Sequence, residues 1–468
     1  MPNDFAYFTL LVWPIVSIVL YKKCPVINAT FWTIVGGYLL LPVGVEFDFP
    51  LIPALDKKTI PAVMAFIGCK YIAEQKIRLL PPPSIERKLI IIFFLGSVVT
   101  VLTNGEAVVE PNRYISGLTF YDTLSTVISQ WLLLIPFILG VQIIKTHEDQ
   151  VQVIRLLVVA GLWYSLLIIF EIRMSPQLHT WIYGFFPHTW MQQLRYGGFR
   201  PVVFLGHGLW VSIFIFMILG SIVSIAKLKI SSFRFPDAII ILYFSVLLIL
   251  AKGAGSMLLG LMLMTGMMFF KYDLVLKISI LLATTAILYP LLCIGDFFPH
   301  QYLLDSIAAI DASRADSLKY RFDQEAALLD RASQKLLFGW GGWGRSLLEN
   351  SVTDGYWVIL VGKYGLVGFA AIFGLFVTSI YRAKETIQIG RNKAENEYIA
   401  GIAFTAALLI IDQIPNASIN PIIWFLMGSL SGRHLLVGKV KVEAQDHSNV
   451  PDFGGNLTSV IRRTHGRR

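Results

Sequence analysis

Charge is what this chain has least of. Only 15% of its 468 residues are Asp, Glu, Lys or Arg, where a soluble chain carries about 25%. Its three cysteines, Cys24, Cys69 and Cys293, all lie in or beside apolar runs. The odd count and the spacing argue against a disulfide framework or a cysteine-rich metal site and leave small buried thiols. No HExxH, P-loop, GxGxxG or CxxC stands in a usable context, so the common short signatures of zinc hydrolases, nucleotide binding and redox pairs are missing. No metal or cofactor is expected. Internal repeats are missing too, as are the paired broken helices that mark many transporters. The dyad alternation of a membrane β-barrel is not seen either.

What fills the chain instead is apolar sequence, 55% of the residues at mean hydropathy +0.66. Thirteen runs are long enough, or nearly so, to cross a hydrocarbon layer of about 30 Å as helices. They lie near Phe5–Tyr21, Ile27–Val43, Ile60–Ala73, Leu89–Leu102, Phe120–Ile144, Val151–Ile172 and Pro201–Ala226, then Asp237–Ala251, Ser256–Phe270, Ile278–Ile294, Tyr356–Tyr381, Tyr398–Ile411 and Pro421–Leu436. Ile60–Ala73 is short and holds Lys70; without it the total is twelve. In lipid the backbone must satisfy itself, so the expected fold is all-α, a polytopic transmembrane helical bundle. The sequence MPNDF lacks the basic flank of a cleaved signal, so the first run is expected to be retained.

Lysine and arginine crowd into alternate loops: Lys22 and Lys23, Lys76 to Lys88, Lys227 to Arg234, Lys271 and Lys277, Arg382 to Lys393, and the tail. The other set holds few, among them Lys57, Lys58, Arg113, Arg195 and Arg200. By the positive-inside rule the C-terminus is cytoplasmic and the long segment 295–355 lies outside. The net charge of +9 then reflects topology and attraction to anionic lipid and argues against nucleic acid as a partner. Four regions follow: a bundle over 1–294, the long outer loop 295–355, three further spans over 356–437, and a basic tail 438–468 expected to be disordered.

The long loop is where chemistry on water-soluble groups has room. Within it, Asp316–Leu336 reads as an amphipathic helix, with Leu318, Phe322, Ala326, Leu329, Ala332 and Leu336 on one face. Arg321 flanks that face and would point to the bundle mouth, or pair with Glu325 four residues on; Lys319 and Arg331 are expected in solvent. GWGGWGRS, at 339–346, marks a tight turn with its backbone close to something. Its Trp340 and Trp343 would stack on sugar rings or sit at the membrane interface. Asp354, at the mouth of the next span, would serve as a general base for a hydroxyl or as a helix cap. Lys363 lies deeper in that span, where a cation is costly and is functional by default. Earlier, Arg195 and Arg200 flank the start of a span in LRYGGFRPVVFLGHG. They would hold a phosphate or anchor at headgroups. His207 in that span is a packing residue or a site residue.

Three stretches carry a resemblance to the O-antigen ligase and polymerase-like membrane proteins of bacterial surface-polysaccharide assembly. They are GFRPVVFLGHG, KGAGSMLLG at 252–260, and the long loop with Arg321, LLFGWGGWG and DGYWVILVGKYGLVG. The ligases carry His-Asn, nine residues, then GxxG. Here the GxxG is Gly365–Gly368 and the pair is Asp354 and Gly355, so the ligase histidine is absent and the acid is more similar to the polymerase branches. The resemblance implies an inverting, metal-independent glycosyltransferase of the bacterial inner membrane. It would act on glycan linked to undecaprenyl diphosphate at the periplasmic face, with other polysaccharide-assembly proteins as possible partners. Arg200, Arg321 and Asp354 would be catalytic. Arg195, His207, Trp340, Trp343 and Lys363 would bind substrate. The rival expectation is a flippase or transporter for lipid-linked sugar, which needs charge near the bilayer midplane. Lys70, Arg155, Glu171 and Lys363 are the candidates for that role.

Overall fold

The computed structural model describes residues 1–433 apart from 50–51, 196, 231–232, 310, 350 and 390–391. The tail 438–468 therefore lies outside the described residues. The chain is an all-α membrane bundle: seven helices are long and apolar enough to span a membrane, and four shorter apolar helices accompany them. Every expected run is helical over most of its length. In order, these are α1 (Asp4–Lys23), α2 (Val26–Leu40, with a π-turn at its centre), α3 (Thr59–Ile72), α4 (Ile85–Leu102), α5 (Phe120–Ile143) and α6 (His147–Met174). A short α7 (Leu178–Tyr183) leads to α8 (Gly208–Ala226), α9 (Asp237–Leu250), α10 (Ala254–Phe269) and α11 (Tyr272–Ile294). The segment 295–355 holds α12 (His300–Ala308) and α13 (Ala312–Ser333). Then come α14 (Tyr356–Ile389), α15 (Lys393–Asp412) and α16 over 421–433. Three two-stranded antiparallel hairpins decorate the connections.

α8 is the hub. It is apolar on every side, as a helix must be if it is covered all round, and its residues from Val211 to Ile225 are buried. α6, α9, α10 and α15 pack around it, while α11 packs along α15 and α14 along α4. Polar ties fall into two groups, one at each end of the bundle. At one end Arg382 on α14 forks onto Glu86 on α4, 2.8 and 3.3 Å, with the Glu86 side chain fully buried. At the same end Arg433 reaches Gln150 and Glu395. At the other, Lys335 pairs with Glu106, Arg113 reaches the Leu347 carbonyl, and the Lys252 ammonium donates to the Arg195 carbonyl. This grouping matches the alternation of loops read from the basic residues.

Two breaks in regular structure decide where the interesting side chains go. The first is residues 200–207, ahead of α8, which run without helix through a buried layer. Their backbone is satisfied by side chains. Glu171 accepts the N–H groups of Val202 and Val203, 2.7 Å each, and of Leu178, 3.0 Å. The Tyr164 hydroxyl accepts from Phe204 N–H, and the Lys57 ammonium donates to the Phe204 carbonyl at 2.6 Å. Val203 has φ +48°, a region β-branched residues avoid, so the clasp holds strained backbone in place.

The second break is inside α14, where Gly365 has φ +65° and ψ −170°. The turn after α13 docks onto it backbone to backbone. Trp340 N–H donates to Gly362 O and Gly341 N–H to Lys363 O, at 2.8 and 2.9 Å. In return, Leu366 N–H donates to Leu336 O and Val367 N–H to Leu337 O. A Cβ on Gly365 would sit 2.2 Å from the Leu337 carbonyl oxygen, and one on Gly339 2.6 Å from Gly365 N. The glycines of GWGGWG and GxxG are thus two halves of one contact.

Candidate functional site

A cleft of about 320 Å³ opens at the end of the bundle that carries the segment 295–355. One wall is α13, with Leu318, Arg321, Phe322, Gln324, Glu325 and Leu328; the facing wall is Tyr289 at the end of α11, Val358 on α14, and the turn at Ile414 and Pro415. Asp354 and Gly355 close one side. The helix was expected over Asp316–Leu336 and runs Ala312–Ser333. Its covered face is also rotated from the expected one. Ala326 is exposed and Leu328 is buried at 4%, so the covered stripe takes in Arg321 and Glu325 as well as the apolar residues.

That rotation separates the two charged residues. Arg321 does not pair with Glu325. Its Nε lies 3.5 Å from Asp354 Oδ2 and its Nη1 donates to the Pro415 carbonyl at 3.3 Å, with the side chain 40% exposed toward the cleft. Asp354 precedes the residue before α14, so it is an ion-pair partner rather than the residue capping the helix. Glu325 turns inward and accepts the Tyr289 hydroxyl at 2.8 Å. Burial pushes its carboxyl up to about 7, against hydrogen bonds from Tyr289, Cys293 and Trp357 that lower it. Desolvation wins because no cation is paired with it.

Glu325 also belongs to the one group among the described residues with donor types that a metal accepts. Its carboxylate, the Cys293 thiol and a His300 ring nitrogen lie within 4.8 Å of one another. The His300 ring is wedged between Phe298 and Phe322. Glu325 is hydrogen-bonded to Tyr289 and Cys293, with His300 close by against the two rings.

The tryptophans divide. Trp340 is buried, donates its indole N–H to the Arg331 carbonyl at 2.7 Å and lies under the Arg331 guanidinium, 3.6 Å from the ring centre. Arg331, expected in solvent, is thus half-buried as a stacking partner. Trp343 stays 53% exposed at φ +53°. Arg345, which the motif reading passed over, is fully buried. It knots the turn by donating to the carbonyls of Trp340, Ser116 and Glu106. Lys363 is half-buried beside the α14 break, its carbonyl taken by Gly341.

Arg200 is elsewhere. It is 2% exposed, its N–H donates to the Gln193 carbonyl, and its side chain lies against Gly208. His207 caps α8, its Nδ1 accepting from Leu209 N–H, and its ring touches His188. Burial first, then Arg200, His188 and Arg195, push His207 down to about 4, so it is neutral near pH 7. Arg195 is exposed on a small hairpin. The site residues expected from sequence therefore fall into three sets: Arg321 with Asp354 in the cleft, Trp340, Trp343 and Lys363 at the turn docked on the α14 break, and Arg195, Arg200 and His207 around the segment ahead of α8. Neither Arg200 nor His207 lines the cleft.

Glu325 is the residue whose importance the sequence reading missed. The available signal was an acid on the covered face of an amphipathic helix, one turn from an arginine. Taking it as the partner of Arg321 hid it. Comparison with known proteins adds nothing to this geometry: no family model, no curated protein and no solved structure matches the chain.

Proposed function

We propose that this multi-pass membrane protein is a glycosyltransferase that polymerises or transfers a glycan from undecaprenyl diphosphate at the outer face of a bacterial inner membrane. The observation that carries the reading is the Arg321 guanidinium, presented by α13 into a cleft with apolar walls and fixed there by Asp354. Such a donor has an isoprenoid tail, a diphosphate at headgroup depth and a sugar chain in water. A cleft needs an apolar flank, a cation and an opening to meet those three parts. As the glycosidic C–O bond breaks, charge develops on the departing diphosphate. A preorganised guanidinium stabilises that charge by hydrogen bonding and electrostatics. Asp354 orients the guanidinium and stands close enough to order an acceptor hydroxyl.

The reading assigns the diphosphate to Arg321. Arg200 would reach a headgroup only if the segment 193–208 shifted, so variants at the two arginines separate their roles. In a deletion strain, re-expressed Arg321→Ala is expected to leave protein levels intact and abolish long-chain glycan. Shortened polymer in that strain points to polymerisation, and accumulated full-length glycan on the lipid points to ligation. Normal polymer from Arg321→Ala would remove the assignment. The transporter reading has lost one of its supports, since Glu171 is occupied by three backbone N–H groups.

A further inference from the structure

We propose that Glu325 is the group that takes the proton from the acceptor hydroxyl, an inference that rests on the glycosyltransferase reading above. Its position carries the argument. Glu325 lines the same cleft as Arg321, one helical turn further along the same covered face. Arg321 is turned away to Asp354 and Pro415, so the Glu325 carboxylate has no cation to hold it as a spectator ion. Tyr289 holds one of its oxygens, which fixes the carboxyl plane. Charge stabilisation and proton acceptance thus fall on different side chains of one helix.

The groups facing Glu325 come from every wall. Tyr289 and Cys293 lie on α11, His300 on α12, Arg321 on α13, and Asp354 and Trp357 at the start of α14. Among the described residues facing it, Arg321 alone is a fixed cation, and it pairs with Asp354. Desolvation is therefore unopposed by charge, which raises the carboxyl to about 7, the range in which a base is both free and strong enough to work.

The step balances without a further reactant. The acceptor O–H gives its proton to a Glu325 oxygen as its oxygen bonds to the anomeric carbon. The bond from that carbon to the diphosphate oxygen breaks, and the lipid diphosphate leaves with the electron pair beside Arg321. One glycosidic bond forms and one glycosyl–phosphate bond is lost. Because attack and departure are on opposite faces of the carbon, configuration inverts.

The test uses the full chain purified in detergent, with a fluorescent polyprenyl-diphosphate oligosaccharide as donor. Wild type should transfer with a rate that rises with pH through a midpoint near 7. Glu325→Gln should lower the maximal rate by about 10²-fold or more with the donor KM little changed, and the limb near pH 7 should vanish. Glu325→Asp should recover part of the rate. A second readout needs no activity. Since the folded carboxyl binds its proton more tightly than the unfolded one, wild-type stability falls as pH rises from about 4.5 to 7. Glu325→Gln should therefore melt above wild type at pH 8 and approach it below about pH 4. If wild type transfers glycan and Glu325→Gln matches its rate and pH limb, the base assignment is overturned while the enzyme reading stands. If wild type transfers nothing from the donor, both are overturned.

Discussion

Arg200 is 2% exposed, whereas the Arg321 side chain is 40% exposed. Arg200 opens an irregular segment, whereas Arg321 sits inside the regular helix α13, whose C-terminal turn docks on the α14 break, so the contrast lies in how the two interruptions are satisfied. Ahead of α8 the irregular backbone at 200–207 consumes side chains: Glu171, Tyr164 and Lys57 are all committed to N–H and carbonyl groups. At the α14 break the backbone of 336–341 satisfies the backbone of 362–367 directly. No polar side chain is needed at those four bonds. Buried backbone groups must find partners in either case. The cations nearest that break are used on the turn itself, Arg345 on three carbonyls and Arg331 on the Trp340 face, while Arg321, further back on α13, lines the cleft.

The largest effect that would break this contrast is at Glu171. Removing its carboxylate orphans three backbone N–H groups, each worth roughly 1–3 kcal/mol when buried and unpaired. Glu171→Ala is expected to cost several kcal/mol and abolish a monodisperse peak in detergent chromatography. A well-folded Glu171→Ala protein would show that the segment 200–207 is not held by this clasp. It would also reopen a transport role for the acid.

Next comes Arg321→Ala, expected to lower glycan transfer by on the order of 10²-fold, about 2.7 kcal/mol of barrier. The melting temperature should hardly move, because the guanidinium is half in solvent. Arg321→Lys should recover little, since a point charge lacks the planar fork. The same pair of substitutions at Arg200 should invert the pattern, with a large loss of stability and activity falling only in proportion to folded protein. An Arg200→Ala protein that folds well and is inactive would erase the distinction between the two regions.

Smaller again is the effect at the α14 break. Gly365 occupies a backbone region open essentially to glycine alone, at a cost of about 1–3 kcal/mol for other residues. Its missing Cβ is the space the Leu337 carbonyl fills. Gly365→Ala should lower the melting temperature and loosen the stretch 336–341, seen as faster hydrogen exchange at Trp340 and Gly341. Unchanged exchange there would mean the loop is held by Arg345 instead.

Sequence pattern carried the bundle far. Hydropathy placed the apolar helices and periodicity placed α13, and the basic residues sorted loops into two sets whose side chains do meet at the two ends. The site was legible in part. Arg321 and Asp354 were singled out, and they touch. What could not be read was rotation: a helix with Ala326 and Leu328 both available has two plausible covered faces, and only packing against Tyr289 and Val358 chooses. The same limit applies to GWGGWG. Four glycines announce a close backbone approach, but nothing local says that the approach is to another glycine turn some twenty-five residues later. Arg331 looks like a solvent charge in sequence, and Arg345 carries no signal of its own. They are drawn inward by carbonyls and by an indole face contributed from elsewhere.

The smallest effect is the sharpest discriminator. Asp354 and Arg321 form an ion pair with both partners about two-fifths exposed, so Asp354→Asn should cost only about 0.2–1 kcal/mol of stability. If Asp354 serves to aim the guanidinium, the variant keeps the pH limb near 7. Its rate falls several-fold, through a looser hold on the donor that appears in KM. If Asp354 is itself the proton acceptor, the maximal rate falls by about 10²-fold or more and the limb disappears, as the Glu325→Gln variant is expected to behave. A pH–rate profile of the Asp354→Asn protein beside that of Glu325→Gln therefore decides which acid touches the reacting hydroxyl. The two acids share the cleft, but Asp354 is paired with the Arg321 guanidinium, whereas Glu325 is held by the Tyr289 hydroxyl and burial raises its carboxyl to about 7.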